Sequence, residues 1–391
     1  MSPRRSLPLL ALAAVAAALP AAAGAAPATS IPTSFYTPTF GTPPHGGIMR
    51  SLRITGGSLP QGGKSYAVIY SSKSPSGQDV PTSGIITIPN GKKPKGGFPV
   101  VSWAHGTTGI ADSCAPSRHA LDPPTNSYLQ GFRKQATHWV KRGYVFAQTD
   151  YQGLGTPGLH QYLIGEAEGR SVVDIVTAAH ALSKSVGKRW VAIGHSQGGH
   201  AALWAAALAK GYAPSLKLAG TVPLAPATHI GEQSALIETI ESNPFGGLPA
   251  LIVAGAVENL GIAPESVFSD KAMALYPQVD KVCLDQLSKP DSFGGLGLKE
   301  HFRDPSTTRQ SVIDTISAND PEDIQSIPGP IFIAQGTADT TVFPMYTDQT
   351  VEGYKGRGFK VTYKKYEGAT HTTVPDAARK DTTYFIDKVL G

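Results

Sequence analysis

One short segment of the sequence has the residue types and spacing of a catalytic turn. Residues 194–198 read Gly-His-Ser-Gln-Gly and match the pattern G-x-S-x-G. An apolar run, Trp190–Ile193, comes directly before it, and a run of small residues comes directly after it. This order predicts a strand, a tight turn and a helix, with the hydroxyl of Ser196 raised above the edge of a sheet. We therefore predict that Ser196 is a nucleophile; the alternative is an ordinary glycine-rich turn with an incidental serine.

A serine hydroxyl is a weak nucleophile at neutral pH, so it needs a base and an acid that orients the base. Hydrolases built on this turn place the three groups along the chain in the order serine, acid, histidine. His371 fits the base, because it follows the strand-like run Lys360–Lys364 and precedes a helical pattern from about Pro375 to Leu390. His301 lies in a polar stretch with no strand before it. We predict that His371 is the general base.

The acid is expected in the loop after the strand that precedes the base's strand. Ile331–Ala334 is that strand, and Asp339 lies in the loop that follows it. Asp348 is the second candidate, although its surroundings have a helical pattern, and Glu367 is too close in sequence to His371. We predict that Asp339 holds the imidazole in the correct tautomer and stabilises its protonated form.

Negative charge on the carbonyl oxygen of an acyl substrate needs two backbone N–H donors. The amide after the nucleophile, that of Gln197, is predicted to be one. The other is expected in the glycine-containing loop 105–109, at Gly106 or Thr107, where the threonine also offers a hydroxyl. His105 precedes the nucleophile in the chain, so we interpret it as a residue that shapes this loop.

The sequence favours neither a cofactor nor a nucleic-acid partner. It has no H-E-x-x-H or EF-hand pattern, and the glycine-rich segment 150–155 lacks the G-x-x-x-x-G-K-[ST] motif, so we expect no metal and no cofactor. The net charge is +5, and the lysines and arginines form no basic stripe of the kind that phosphate contact requires. Charged residues are only 16% of the chain, which argues against disorder.

The elements around these residues alternate between strands and helices. Many of the strands are continuous apolar runs, which predicts an α/β fold with a mostly parallel sheet covered by helices on both faces. Residues 228–325 interrupt the alternation with helical patterns only, so we predict a helical insertion over the carboxyl edge of the sheet, here called the cap. Residues 27–60 are rich in Pro, Gly, Ser and Thr and are expected to form an extended arm.

The N-terminus predicts export. Arg4 and Arg5 precede an apolar run, Leu7–Leu19, and small residues follow it, so residues 1–26 are interpreted as a signal peptide cleaved near 23–26. An uncleaved membrane anchor is the alternative, and Sec and twin-arginine export both remain open. Residues 27–391 would then be one catalytic domain, secreted to the periplasm or the extracellular space. In that setting the two cysteines of the chain predict one disulfide, with two unpaired buried thiols as the alternative.

Five motifs in a fixed order resemble a known family. They are HGTTG (105–109), DYQGLG (150–155), GHSQGG (194–199), QGTADTTV (335–342) and GATH (368–371). Together, from about residue 40 to 390, they resemble the secretory lipase family, which comprises α/β-hydrolases similar to the fungal lipase A group and its bacterial relatives. The resemblance implies an α/β-hydrolase fold, a triad of Ser196, Asp339 and His371, a disulfide between Cys114 and Cys283, and hydrolysis of carboxylic esters, often acylglycerols.

The sequence departs from the fungal members in two places. They carry an aspartate in the oxyanion loop, where this chain reads His-Gly-Thr at 105–107. They also have a long flap between acid and base, for which the 32 residues between Asp339 and His371 leave little room. Interfacial activation is therefore not assumed for this chain.

We expect a secreted serine hydrolase, a lipase or esterase that acts on small-molecule or lipid esters. Contact with a lipid interface and the choice between long and short acyl chains stay open. The alternatives are a serine peptidase or acyltransferase on the same fold, and a hydrolase-fold protein that binds without catalysis. A peptidase would need a group that holds a peptide terminus, for which Glu166 and Glu168 are candidates, although acids are also favoured at the start of a helix.

Overall fold

The computed structural model describes residues 26–37, 43–122, 127–237, 242–303 and 307–391. Nearly all of the predicted signal peptide therefore lies outside the described residues. The strands within these ranges are β1 (Ile48–Ile54), β2 (Gly63–Lys73), β3 (Asp79–Pro89), β4 (Phe98–Ala104), β5 (Val145–Gln152), β6 (Val186–His195), β7 (Lys217–Leu224), β8 (Pro330–Gly336) and β9 (Lys360–Tyr366).

These strands form one sheet in the order β1-β2-β3-β5-β4-β6-β7-β8-β9. The pairs from β5 through β4 to β9 are parallel, whereas β1–β2, β2–β3 and β3–β5 are antiparallel. The predicted α/β architecture with a mostly parallel sheet is confirmed. The expectation of an extended arm over 27–60 is wrong for Ile48–Ile54, whose backbone pairs with β2, because a Pro- and Gly-rich context hides a short run with an isoleucine at each end.

Helices account for most of the remaining structure. Those in the described ranges are α1 (Ser127–Lys141), α2 (Gly165–Leu182), α3 (Gln197–Tyr212), α4 (Ile230–Ile237), α5 (Leu248–Leu260), α6 (Asp270–Leu275), α7 (Leu284–Leu287), α8 (Thr307–Ala318), α9 (Pro344–Gly356), α10 (Val374–Ala377) and α11 (Arg379–Leu390). No helix among the described residues is long and apolar enough to cross a membrane.

The parallel strands are apolar on both sides because helices cover both faces of the sheet. Residues of α2 and α3, such as Val172 and Ala201, pack on one face together with strand residues. Trp139 of α1 and Ile386 of α11 pack on the other face. The strand that leads to the nucleophile is therefore held between two apolar layers, which fixes the position at which it ends.

Between β7 and β8 the described residues form five helices, α4 to α8, as the sequence patterns of the cap indicate. The predicted helix Leu248–Leu260 has the same bounds in the structure. The cap has an apolar cluster of its own, which includes Leu251, Phe268 and Phe293. It is therefore held together by its own buried surface and by apolar residues of neighbouring loops, such as Ile110 and Tyr162.

A disulfide joins the cap to the loop region that follows β4. Cys114 and Cys283 are bonded, at a sequence separation of 169. Next to the bond, the amide of Leu284 donates to the carbonyl oxygen of Thr108 at 2.9 Å. The predicted pairing of the two cysteines is confirmed, and it places one end of α7 firmly against the loop 105–109.

Replacing both cysteines with serine is expected to lower the free energy of unfolding by about 4–5 kcal/mol, because the bond closes a long loop in the unfolded chain. Urea unfolding of the oxidised protein and of the double variant measures the difference. Treatment with a reductant should destabilise the parent protein and leave the double variant unchanged. Equal stability of parent and variant would contradict the expectation.

Candidate active site

The turn between β6 and α3 holds Ser196 in a strained backbone conformation. Its φ is 59° and its ψ is −122°, a combination that side-chain-bearing residues rarely adopt. Its amide donates to the carbonyl oxygen of Leu224 at 3.0 Å, and its own carbonyl oxygen accepts from the amide of Gly199 at 2.8 Å. Conformations of this kind cost about 1–3 kcal/mol and persist where the surrounding structure enforces them. The geometry is that of the predicted nucleophile turn.

Two glycines of the motif are required because no side chain fits at their positions. A Cβ at Gly198 would lie 1.9 Å from the carbonyl oxygen of Ala104, the last residue of β4. A Cβ at Gly194 would lie 2.1 Å from the carbonyl oxygen of Gly198. The first turn of α3 therefore packs directly on the backbone of β4, and only glycine permits this approach.

His371 and Asp339 meet at the ends of β9 and β8. The Nδ1 atom of His371 lies 2.8 Å from Oδ2 of Asp339, so the ring donates to the carboxylate through this nitrogen. The two loops are joined by their backbones as well, since the amide of Ala338 donates to the carbonyl oxygen of Ala369 at 3.0 Å. The other ring nitrogen of His371 is thereby left for a different partner.

Asp339 is buried, with 3% of its surface exposed. Burial alone raises the pKa of this carboxyl, but the bond from His371 and the amides of Val342 and Thr341 outweigh it and leave the pKa below its usual value. Gln335 also donates to Oδ2 of Asp339, at 3.1 Å. The sequence reasoning missed Gln335; its position in the strand just before the acid was the only signal.

Ser196 and His371 line the same cavity, which has a volume of about 670 Å³. Gly106 and Thr107, the predicted oxyanion-loop residues, line it as well. The opposite wall comes from the cap, through Leu248 and a run of residues from Lys281 to Gln286 that includes the disulfide. Asp339 lies behind His371 and is not part of the cavity wall.

Of the predicted oxyanion residues, Gly106 and Thr107 line the cavity, and Gln197 follows the cavity residue Ser196 in the chain. Gln197 is the first residue of α3, and the first amides of a helix have no partner within it. Its side chain points away from the cavity, because Nε2 donates to buried Glu168 at 2.7 Å. The hydroxyl of Thr107 lies 2.6 Å from the hydroxyl of Tyr162, a contact that the sequence did not predict.

His195, the residue before Ser196, contacts the backbone of His371. It is 2% exposed, and its Nε2 lies 2.8 Å from the carbonyl oxygen of His371. A carbonyl oxygen only accepts, so Nε2 carries the proton. The centroids of the His195 and His371 rings lie 4.6 Å apart. Burial lowers the pKa of His195 to about 3, so the ring is neutral beside His371 at ordinary pH.

Glu168 forms a buried polar network beneath the nucleophile turn. Its carboxylate accepts from Gln197 and faces Nδ1 of His200 at 2.8 Å. The other ring nitrogen of His200 donates to the carbonyl oxygen of Asn319 at 2.9 Å. Burial by itself lowers the pKa of His200, but the bond and charge of Glu168 raise it above its usual value. The network fixes the first turn of α3 from below.

Glu166 and Glu168, the candidates for holding a peptide terminus, have other partners. Glu168 is fully buried, and Glu166 is bonded to Arg170 at 2.5 Å. Neither glutamate lines the cavity that contains Ser196.

In the part of the chain that the structure describes, one group of side chains has metal-ligand chemistry. Donor atoms of His229, Glu232 and Glu322 lie within 4.8 Å of one another at the start of the cap. Nδ1 of His229 faces Glu232 at 3.1 Å, and Glu322 accepts from the amide of His229 at 3.1 Å. Hydrogen bonds at the start of the cap account for these contacts, and none of the three residues lines the cavity of Ser196.

Comparisons with known proteins show which family the chain resembles. The family model described as secretory lipase matches residues 135–388. A secreted triacylglycerol lipase of Malassezia globosa is 30% identical over 274 residues, which are 66% of this chain and 54% of that protein. The chain thus spans about half the length of the curated relatives that it matches.

Two solved structures have the same fold. Candida antarctica lipase A in its closed state superposes with a TM-score of 0.75 at 18% identity, over 92% of this chain and 87% of that one. A ligand-bound rice cell wall degrading esterase of Xanthomonas oryzae superposes with a TM-score of 0.69 at 19% identity, over 89% of this chain and 99% of that one. At these identities the likeness establishes the fold.

The backbone strain at position 196 has a measurable consequence. Ser196→Gly is expected to be more stable than Ser196→Ala by about 1 kcal/mol, because glycine adopts this conformation freely. Urea unfolding of the two variants isolates the strain, since both lack the hydroxyl. Ser311, an exposed residue inside helix α8, is the control position. There the glycine variant should be less stable than the alanine variant by about 1 kcal/mol. A less stable glycine at both positions would show that position 196 carries no strain.

Proposed function

This chain belongs to the secretory lipase family, and we propose that it is a secreted serine hydrolase of carboxylic esters that uses Ser196, His371 and Asp339. The observation that carries the proposal is the 2.8 Å bond between Asp339 and His371, with His371 on the wall of the cavity that contains the strained Ser196. Secretion is supported by the relatives, which are named as secreted lipases.

In the proposed reaction, Oγ of Ser196 attacks the ester carbonyl carbon while Nε2 of His371 takes the hydroxyl proton. The carbonyl oxygen becomes negative and accepts hydrogen bonds from the amide of Gln197 and from the loop that contains Gly106 and Thr107. Each such donor supplies about 3–4 kcal/mol of transition-state stabilisation. His371 then gives its proton to the leaving alcohol, and an acyl-serine remains.

Water completes the cycle by the same route. His371 takes a proton from water as the oxygen attacks the acyl carbonyl, and returns it to Oγ of Ser196 when the acid leaves. Asp339 remains ionised and stabilises the imidazolium in both halves of the reaction, which its depressed pKa favours. The chain's own residues supply each group that these steps require.

The substrate class that we propose is the ester of a small alcohol or of glycerol. The cavity has apolar wall residues such as Leu248, Val282 and Leu284, which suit an acyl chain. Two exposed apolar side chains, Phe343 and Met345, lie close in sequence to cavity residue Thr341, and they could contact a lipid surface transiently.

Hydrolysis of p-nitrophenyl esters with two to sixteen acyl carbons, and of emulsified triolein, tests the function. We expect hydrolysis by the parent protein and its loss in Ser196→Ala, together with covalent labelling of Ser196 by a fluorophosphonate. Labelling without ester hydrolysis would favour a peptidase or acyltransferase. Neither labelling nor hydrolysis by folded protein would leave the binding-protein alternative.

Asp339→Asn is expected to lower kcat by about 10³–10⁴-fold, because the amide no longer holds His371 in the required tautomer or stabilises its protonated form. Asp348→Asn is the matched control, since Asp348 on α9 accepts from Tyr363 of β9 and does not line the cavity. Steady-state kinetics of both variants distinguish the two candidate acids. A large loss in Asp348→Asn with an active Asp339→Asn would reverse the assignment.

A further inference from the structure

A pair of hydroxyls connects the loop 105–109 to a tyrosine that packs against the cap. The hydroxyl oxygens of Thr107 and Tyr162 are 2.6 Å apart, which is the length of a strong O–H···O hydrogen bond. Thr107 is half-buried and lines the cavity of Ser196. Tyr162 is 4% exposed and lies between β5 and α2, 55 residues further along the chain.

The chemistry of the two hydroxyls sets the direction of this bond. A phenol is far more acidic than an alcohol, so it is the better donor and the alcohol is the better acceptor. When Tyr162 donates to Thr107, the proton of Thr107 must point away from the tyrosine. A threonine hydroxyl has one proton and two lone pairs, so it accepts from the phenol and donates elsewhere at the same time.

We propose that the hydroxyl of Thr107 donates to the developing oxyanion, and that Tyr162 is the positioning residue that aims it. The proposal rests on the proposed ester hydrolysis and adds a side-chain donor to the backbone amides. The bond from Tyr162 fixes the rotation of the Thr107 hydroxyl before the substrate arrives. Preorganised donors of this kind stabilise a transition state without reorganising as charge develops.

The cap holds Tyr162 in place. The tyrosine packs in the apolar cluster of the cap with Leu251 and Val253. Helix α5 lies directly on its backbone, since a Cβ at Gly255 would be 2.4 Å from the carbonyl oxygen of Tyr162. The packing of the cap therefore sets the position of a group that acts on the far side of the cavity, through one hydrogen bond.

A double-mutant cycle tests the proposal. Thr107→Val is isosteric and lacks the hydroxyl, and we expect it to lower kcat by about 10²-fold with little change in KM. Tyr162→Phe should lower kcat by about tenfold in the parent protein. The hydroxyl of Thr107 then loses its fixed orientation but can still donate its proton. In the Thr107→Val background, Tyr162→Phe should have almost no effect, because the group through which it acts is absent. Thr107→Ser should retain most of the activity.

The chain offers a matched control elsewhere. The hydroxyls of Tyr70 and Thr149 are also 2.6 Å apart and buried, but neither residue lines the cavity. Tyr70→Phe should therefore lower the midpoint of thermal unfolding and leave kcat and KM unchanged. Inhibition by a trifluoromethyl ketone, which forms a serine-bound oxyanion, gives a second readout and should weaken in parallel with kcat.

Three results overturn the proposal. One is an equal loss from Tyr162→Phe with and without the Thr107 hydroxyl, which would assign the tyrosine a structural role. Another is a Thr107→Val variant with parental kcat and parental affinity for the ketone. The third is a loss of kcat/KM in Thr107→Val that comes from a higher KM alone, with kcat unchanged. Failure of the proposed function itself is distinct, because the parent protein would then show neither hydrolysis nor fluorophosphonate labelling.

Discussion

The close approach between the first turn of α3 and the end of β4 is the constraint on which the site depends. With no side chain at Gly198, the helix rests against the carbonyl oxygen of Ala104, where a Cβ would lie 1.9 Å away. This contact forces the chain through a sharp turn, and Ser196 takes the positive φ of 59° that results. The same turn lies against the loop that follows β4, since a Cβ at Gly198 would be 2.8 Å from the carbonyl oxygen of His105. The backbone strain at Ser196 and the position of the loop 105–109 beside this turn thus have one steric origin.

Burial around this turn divides the ionisable groups into two kinds. Those that carry charge have it balanced at close range: Glu168 faces His200, whose pKa is raised, and Asp339 faces His371. At His195 burial outweighs the nearby charge of Asp339 and lowers the pKa to about 3, so this ring is neutral. A neutral ring beside His371 matters, because a second positive charge at 4.6 Å would oppose the imidazolium that the proposed mechanism needs.

The sequence predicts the parts of the site that local order determines. A strand, a glycine turn and a helix predict Ser196, and chain order predicts Asp339 and His371, whose side chains lie 2.8 Å apart. It does not predict the contacts that tune these groups, because they join residues far apart: Gln197 to Glu168 over 29 residues and His195 to His371 over 176. Buried polar residues such as these have no periodic pattern, and only the fold pairs them. Strand β1 was missed for the opposite reason, since its composition resembles a loop.

The cap links the shape of the substrate cavity to the catalytic geometry. Its residues from Lys281 to Gln286 form one wall, and the disulfide and the bond from Leu284 to Thr108 hold that wall against the loop 105–109. The same loop contains Gly106 and Thr107, and Tyr162 ties it to the cap from a second side. A change that widens the cavity by moving this wall therefore also moves the oxyanion loop. A substitution of one side chain in the wall, such as Leu248 on helix α5, can change the cavity volume without moving the loop 105–109. Substrate range should therefore diverge most readily at such positions among related chains.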